Sequence, residues 1–196
     1  MPYLNDVVVK INENLLAGPF KGNQYQKGMF YGIATPAIRK GKDKDSTFPC
    51  YRQPNSKDMI YIGPDDRYPI IIYHKLLTKN YSQINETDEF GDTDNLIKQT
   101  CSMQMIIFAA ASKLNFVIDE QLESAISLTL VSQLKIQGLL STFVQPTSAS
   151  YDQLQIFNNE YKNVEPFMSN DHLYLSINYT IENISDKKCF NLCADC

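Results

Sequence analysis

The spacing of apolar residues changes period along this chain, and each change marks an element. Between Leu96 and Phe108, Ile97, Cys101, Met103, Met105 and Ile107 occupy one parity, and Lys98, Thr100, Ser102 and Gln104 the other. That alternation predicts a strand with one face in a core and the other in water. After Ala109-Ala110-Ala111 the period lengthens. Ile118, Leu122, Ala125, Ile126, Leu130 and Leu134 form a stripe that predicts an amphipathic helix ending near Leu134. A half-buried strand followed by such a helix gives a sheet with a helix laid on it.

Leu4, Val7, Val8, Ile11 and Leu15 mark one face of an N-terminal helix, with Asn5 or Asp6 placed to cap it and Gly18-Pro19 to end it. A helix this short is marginal in water, so it must dock on the sheet. Short strands are expected at Met29–Ile33, Phe48–Arg52 and Met59–Ile62, with a polar turn from Arg39 to Asp45 and another at Gly63-Pro64-Asp65-Asp66. Tyr68 to Gln83 reads as a long strand. The stretch from Asn85 to Asn95 follows as an acidic tip holding Glu86, Asp88, Glu89, Asp92 and Asp94. With the strand after it, this makes a long hairpin whose arms reach ~40 Å at about 3.3 Å per residue, far enough to protrude beyond the core. Gly138 to Asp171 has a mixed pattern, helical or extended. Leu173, Leu175, Ile177, Tyr179 and Ile181 then alternate with Tyr174, Ser176, Asn178, Thr180 and Glu182, the cleanest strand signal in the chain.

This order describes the α+β class: a mostly antiparallel sheet with an N-terminal helix, a second helix packed on one face and a long protruding β-hairpin. A single domain over 1–196 is expected, with insertions at 35–69 and 138–171 and a short flexible tail at 186–196. A chain of 196 residues with 43% hydrophobic content can bury one such core. The net charge of −4 argues against a dominant nucleic-acid or anionic-membrane surface. No run approaches the roughly 20 apolar residues of a membrane span. The first residues lack the basic and apolar regions of a signal peptide, so a soluble protein made in a cytoplasm is expected.

Candidate chemistry is sparse. The five cysteines, Cys50, Cys101, Cys189, Cys193 and Cys196, are odd in number and read as free thiols rather than a disulfide framework. A zinc site in the C-terminal cluster would need a fourth ligand from His172 or Cys50; reduced thiols in a lightly packed tail are the simpler reading. Asn-X-Ser/Thr sequons at Asn80, Asn85, Asn178 and Asn183 arise by chance in so Asn-rich a chain. His74 and His172 lie in no motif with a nucleophile, and no G-x-S-x-G, H-E-x-x-H or Gly-rich phosphate loop is present. Asp92-Thr93-Asp94 lacks the glycine and distal glutamate of a calcium loop. No enzyme activity, catalytic residue, cofactor or metal site is therefore expected. What remains is charge. The basic residues Arg39, Lys40 and Lys42, the strand lysines Lys75, Lys79 and Lys98, and the acidic tip are candidates for contacts between subunits.

The opening Leu4-Asn5-Asp6-Val7-Val8 helix, the antiparallel strands, the passage from Met103–Phe108 into the helix and the closing strand Leu173–Glu182 resemble the small α+β ring proteins of tailed-phage necks and tails, the tail-terminator and tail-completion family. The Asn/Ile/Tyr/Lys-rich style further resembles crAss-like phages of gut bacteria. The resemblance covers about half of the residues through element order and departs from the family at Thr35–Pro69 and Gly138–Asp171. It implies a structural virion protein: a homo-oligomeric ring around the DNA channel, stacked on adjacent neck or tail ring proteins. DNA would be passing cargo only, with no membrane partner, and assembly would occur in the host cytoplasm. The contrasting expectation is a small soluble ligand-binding or enzymatic α+β domain of a bacterium, whose sign would be a concave pocket gathering His74, His172 and carboxylates.

Overall fold

A computed structural model describes residues 2–22, 25, 27–40, 42–53, 58–65, 67–87, 93–113, 120–137, 139–163 and 172–186. The elements are α1 (Pro2–Ala17), β1 (Met29–Ile33), β2 (Thr35–Arg39), β3 (Ser46–Arg52), β4 (Met59–Tyr61), β5 (Ile70–Thr87), β6 (Thr93–Ala110), α2 (Glu120–Leu130), β7 (Ser132–Leu134), β8 (Ser141–Ser150), α3 (Gln153–Glu160) and β9 (His172–Asp186). The main sheet has the order β1-β5-β6-β9-β8-β7, and β2-β3-β4 form a smaller one. Among the described residues only β1, beside β5, is parallel to its neighbour. The fold is α+β with a mostly antiparallel sheet, as the residue pattern implies.

One end of the main sheet is covered on both faces. On the first face, Leu4, Val7, Val8, Ile11 and Leu15 of α1 and Ile126 and Leu130 of α2 pack on Ile70, Ile72, Met103, Met105, Ile107, Leu175 and Ile177. On the second, Ile156, Phe157 and Tyr161 join Ala34 and Ile62 over Ile71, Tyr73, Ile106, Phe108 and Tyr174. Strands buried on both faces cannot alternate, which is why Ile70–Tyr73 and Ile106–Ala110 are continuous apolar runs. Alternation returns where the second layer stops, at Lys75, Gln104 and Asn178, which lie side by side across β5, β6 and β9.

The structure corrects several expectations. α1 begins at Pro2, a residue suited to the first helical position, so Asn5 and Asp6 lie inside the helix and do not cap it. The helix predicted to reach Leu134 stops at Leu130. Ser132–Leu134 instead pairs with Thr142–Val144 as β7, which buries Leu134 from a strand. The predicted start of that stripe, Ile118, lies outside the described residues. β2 is a strand that the residue pattern does not reveal, with Pro36 tolerated because β2 is an edge. Residues 35–69 build the small sheet. Residues 138–171 supply β8, inserted between β7 and β9, and α3, capped by Asp152 accepting from the Gln155 amide at 2.9 Å.

The β5–β6 ladder runs from Ile70 opposite Ala109 to Thr87 opposite Thr93. It does not stand alone. β9 accompanies β6 out to Leu96 opposite Asp186, and β8 accompanies β9 as far as Ile184. Only the last residues, Asn85–Thr87 and Thr93–Asn95, extend past β9.

Candidate functional site

The sheet is incomplete at β5. One side of the strand is paired with β6 throughout. On the other side β1 lies against Ile71, Ile72 and His74, and the Ala34 amide donates to the His74 carbonyl at 2.8 Å. From Lys75 to Thr87 no strand among the described residues pairs with that side. A strand edge that no neighbouring strand covers is a template for another strand. Leu77 and Tyr81 are 48% and 49% exposed along it, and Leu76 is also exposed. A bulge between Leu76 and Thr78 shifts the register there.

That bulge also re-sorts the lysines. Lys79 is opposite Cys101, on the first face, with its ammonium 4.7 Å from the centre of the Tyr81 ring. It therefore does not share the outward face of Lys75 and Lys98 that uninterrupted alternation assigns to it. On the second face, Lys98 pairs with Glu182 at 2.9 Å, and the Asn178 amide donates to Ser148 Oγ at 2.9 Å. Thr100, Ser102 and Gln104 continue this polar surface in register with Glu182, Thr180 and Asn178. The partly exposed Lys98–Glu182 pair is worth about 1 kcal/mol at most.

Lys75 begins the open edge and is held by a partner the residue pattern did not reveal. Its ammonium contacts Glu160 Oε1, and the other carboxylate oxygen accepts from the Tyr73 hydroxyl at 3.1 Å. Glu160 is buried at the end of α3. Burial, reinforced by the Glu160 charge, drives the Tyr73 phenol well above its ordinary pKa, so it stays a donor. A cleft of about 210 Å³ opens beside this trio, lined also by Thr35, Thr47 and Lys162. Glu160 had no legible signal: a single carboxylate in a weakly patterned segment looks like surface.

Arg39, Lys40 and Lys42 are exposed at the β2–β3 turn. Glu86 and Asp94 are in register at the far end of the ladder. Asp88, Glu89 and Asp92 lie outside the described residues, as do Cys189, Cys193 and Cys196. Cys50 and Cys101 are buried free thiols whose pKa values burial pushes up.

His74 is fully buried on the first face. The Asn12 amide nitrogen donates to the Tyr31 carbonyl at 3.0 Å, which leaves Asn12 Oδ1 to accept from His74 Nε2 at 2.9 Å. His74 Nδ1 then accepts from the Tyr179 hydroxyl at 2.7 Å. Burial lowers the imidazole pKa to about 3, so the ring is neutral and ties α1 to the sheet. A second cleft, of about 250 Å³, is lined by Tyr31, Tyr61 and Tyr68 beside the Asp65–Arg67 pair, whose hydrogen bonds hold the Asp65 carboxyl below its usual range. Neither cleft includes a histidine, so His74 and His172 are not gathered with carboxylates in either. Among the described residues no group of three or more His, Cys, Asp or Glu side chains is placed to hold a metal ion, and no helix is long and apolar enough to cross a membrane. Compared with known protein families and with curated proteins, the chain matches none.

Proposed function

We propose that this chain is the subunit of a homo-oligomeric ring in the neck or tail of a tailed bacteriophage, acting in head–tail connection or tail termination around the DNA channel. The observation that carries the assembly reading is the edge of β5 from Lys75 to Thr87, which no strand among the described residues pairs. Leu76, Leu77 and Tyr81 add apolar surface along that edge, which a neighbouring strand would cover. A ring needs a heterologous contact, in which the β5 edge of one copy meets a different element of the next. The polar second face suits a wet interface or a water-filled lumen. The phage assignment rests on element order.

Two measurements test this. Light scattering behind size exclusion, with native mass spectrometry, should show one discrete oligomer larger than a dimer, alone or with a neighbouring neck protein. Leu77→Lys with Tyr81→Lys places charge on exposed edge positions and should leave a folded monomer. A chain that stays monomeric with every candidate neighbour, or that stops at a two-fold dimer, refutes the ring. Peptide mapping of purified particles, and the genes flanking this one, test the phage assignment.

A further inference from the structure

We infer that the cleft beside Lys75, Glu160 and Lys162 binds a short-chain monocarboxylate. None of the edge residues Leu76, Leu77 and Tyr81 lines it, so the site is separate from the contact between subunits proposed above.

The walls of the cleft are held in place by the fold. Ala34 and Thr35 lead into β2, Thr47 and Pro49 lie on β3, Lys75 on β5, and Asn159, Glu160 and Lys162 at the end of α3. Pro36 is directly opposite Pro49 in the β2–β3 ladder, and each proline ring fixes its own φ. The Thr47 amide donates to the Lys162 carbonyl at 3.0 Å, which ties the chain after α3 to the small sheet. The Ala34 amide donates to the His74 carbonyl at 2.8 Å, which ties β5 to the start of β2.

Charge and hydrogen bonding select the ligand. Glu160 is buried, and both of its carboxylate oxygens are engaged, Oε1 by the Lys75 ammonium and Oε2 by the Tyr73 hydroxyl. It therefore has its cation already. An ammonium carries three donors, so Lys75 keeps N–H groups beyond the one given to Glu160, and its side chain is 25% exposed. Lys162 is exposed and has no acidic partner among the described residues. The hydroxyls of Thr35 and Thr47 and the Asn159 amide also have no partner among those residues. Two ammoniums and one carboxylate leave the cleft with one positive charge, which a monoanion balances and a dianion exceeds. Donors gathered around an uncompensated ammonium suit an oxyanion, whose hydrogen bonds are charge-assisted. The rest of the lining named here, Ala34, Pro36 and Pro49, is apolar and offers a surface to an organic body. At about 210 Å³ the space falls below the ~300–1,000 Å³ of sites for drug-sized ligands, which limits that body to a short chain.

Butyrate is the probe, titrated into the full-length chain at neutral pH and constant ionic strength. Saturation-transfer NMR reads binding on the ligand, whatever the oligomeric state. Wild type should show saturable binding with a dissociation constant in the millimolar range, as suits so small a ligand. Butyramide, the neutral isostere, should bind at least tenfold more weakly, and so should butyrate to Lys162→Gln. Lys42→Gln, exposed in the turn outside the cleft, should stay within about twofold of wild type. Circular dichroism checks folding. If Lys162→Gln fails to fold, Thr35→Val/Asn159→Leu, both at exposed positions, replaces it, with a loss of at least threefold as the supporting result. No saturable binding by about 50 mM butyrate, equal binding of butyramide, or unchanged affinity in the cleft variant overturns the inference. Equal weakening by Lys42→Gln and Lys162→Gln also overturns it, because general surface charge then explains the binding.

Discussion

Lowering the pH from 7 to 5 acts on one side chain at the junction of α1 and the sheet. His74 accepts from Tyr179 and donates to Asn12, so its neutral form has both nitrogens satisfied. The charged form would need a second acceptor where the Tyr179 hydroxyl now donates, and it would have to be desolvated. Burial accordingly lowers the folded pKa to about 3, against about 6.5 in the unfolded chain. Between these values the unfolded state binds the proton and the native state does not, so stability rises with pH. The stability present above about pH 6.5 is lost progressively as the pH falls toward 3. At about 1.4 kcal/mol per pH unit, the loss is about 2 kcal/mol at pH 5 and about 5 kcal/mol below pH 3, a large share of a domain's typical 5–15 kcal/mol. His74→Gln keeps an amide donor and acceptor but cannot titrate. It should cost about 1–3 kcal/mol at pH 7 through imperfect hydrogen bonds, yet lose about 2 kcal/mol less than wild type between pH 7 and pH 5. Urea unfolding followed by circular dichroism and tyrosine fluorescence suits a chain with 12 Tyr and no Trp. The edge variant supplies a monomeric background, so that association does not enter the measured stability. Parallel pH profiles with and without the His74→Gln substitution would refute this reasoning.

Other outcomes follow from the packing. Lys75→Met strands the buried Glu160 carboxylate and should cost on the order of 2 kcal/mol, between the values for exposed and buried pairs; adding Glu160→Gln should recover part of it in a double-mutant cycle by thermal denaturation. A Cβ at Gly28 would lie 2.6 Å from Ile70 Cγ2 and 2.9 Å from the Tyr25 carbonyl oxygen, so Gly28→Ala should lower urea-unfolding stability by about 1–3 kcal/mol. Leu15→Ala removes a fully buried side chain between α1 and the sheet, with an expected loss of about 2–5 kcal/mol in the same assay.

The alternation in β6 and β9 was legible because, beyond the second layer, one face of each strand meets water while the other stays in the core. The residue pattern was enough to set the α+β class, the N-terminal helix, most short strands and the antiparallel β5–β6 pair. It was silent where position depends on segments distant in sequence. Ser132–Leu134 continues a helical stripe, yet joins β8 because an edge there offers backbone partners. Lys79 sits on the expected parity, yet one bulge at Leu76–Thr78 turns it to the opposite face. Glu160 reads as surface until α3 lays it against Tyr73 and Lys75. Where strand pairing ends on that side of β5 is not written in β5 at all; among the described residues it ends because β1 stops at Ile33. Local periodicity records which side of a segment is apolar. Which strand pairs with which, where a layer ends, and which charges become neighbours are set by contacts between segments far apart in the chain, and those only the tertiary structure decides.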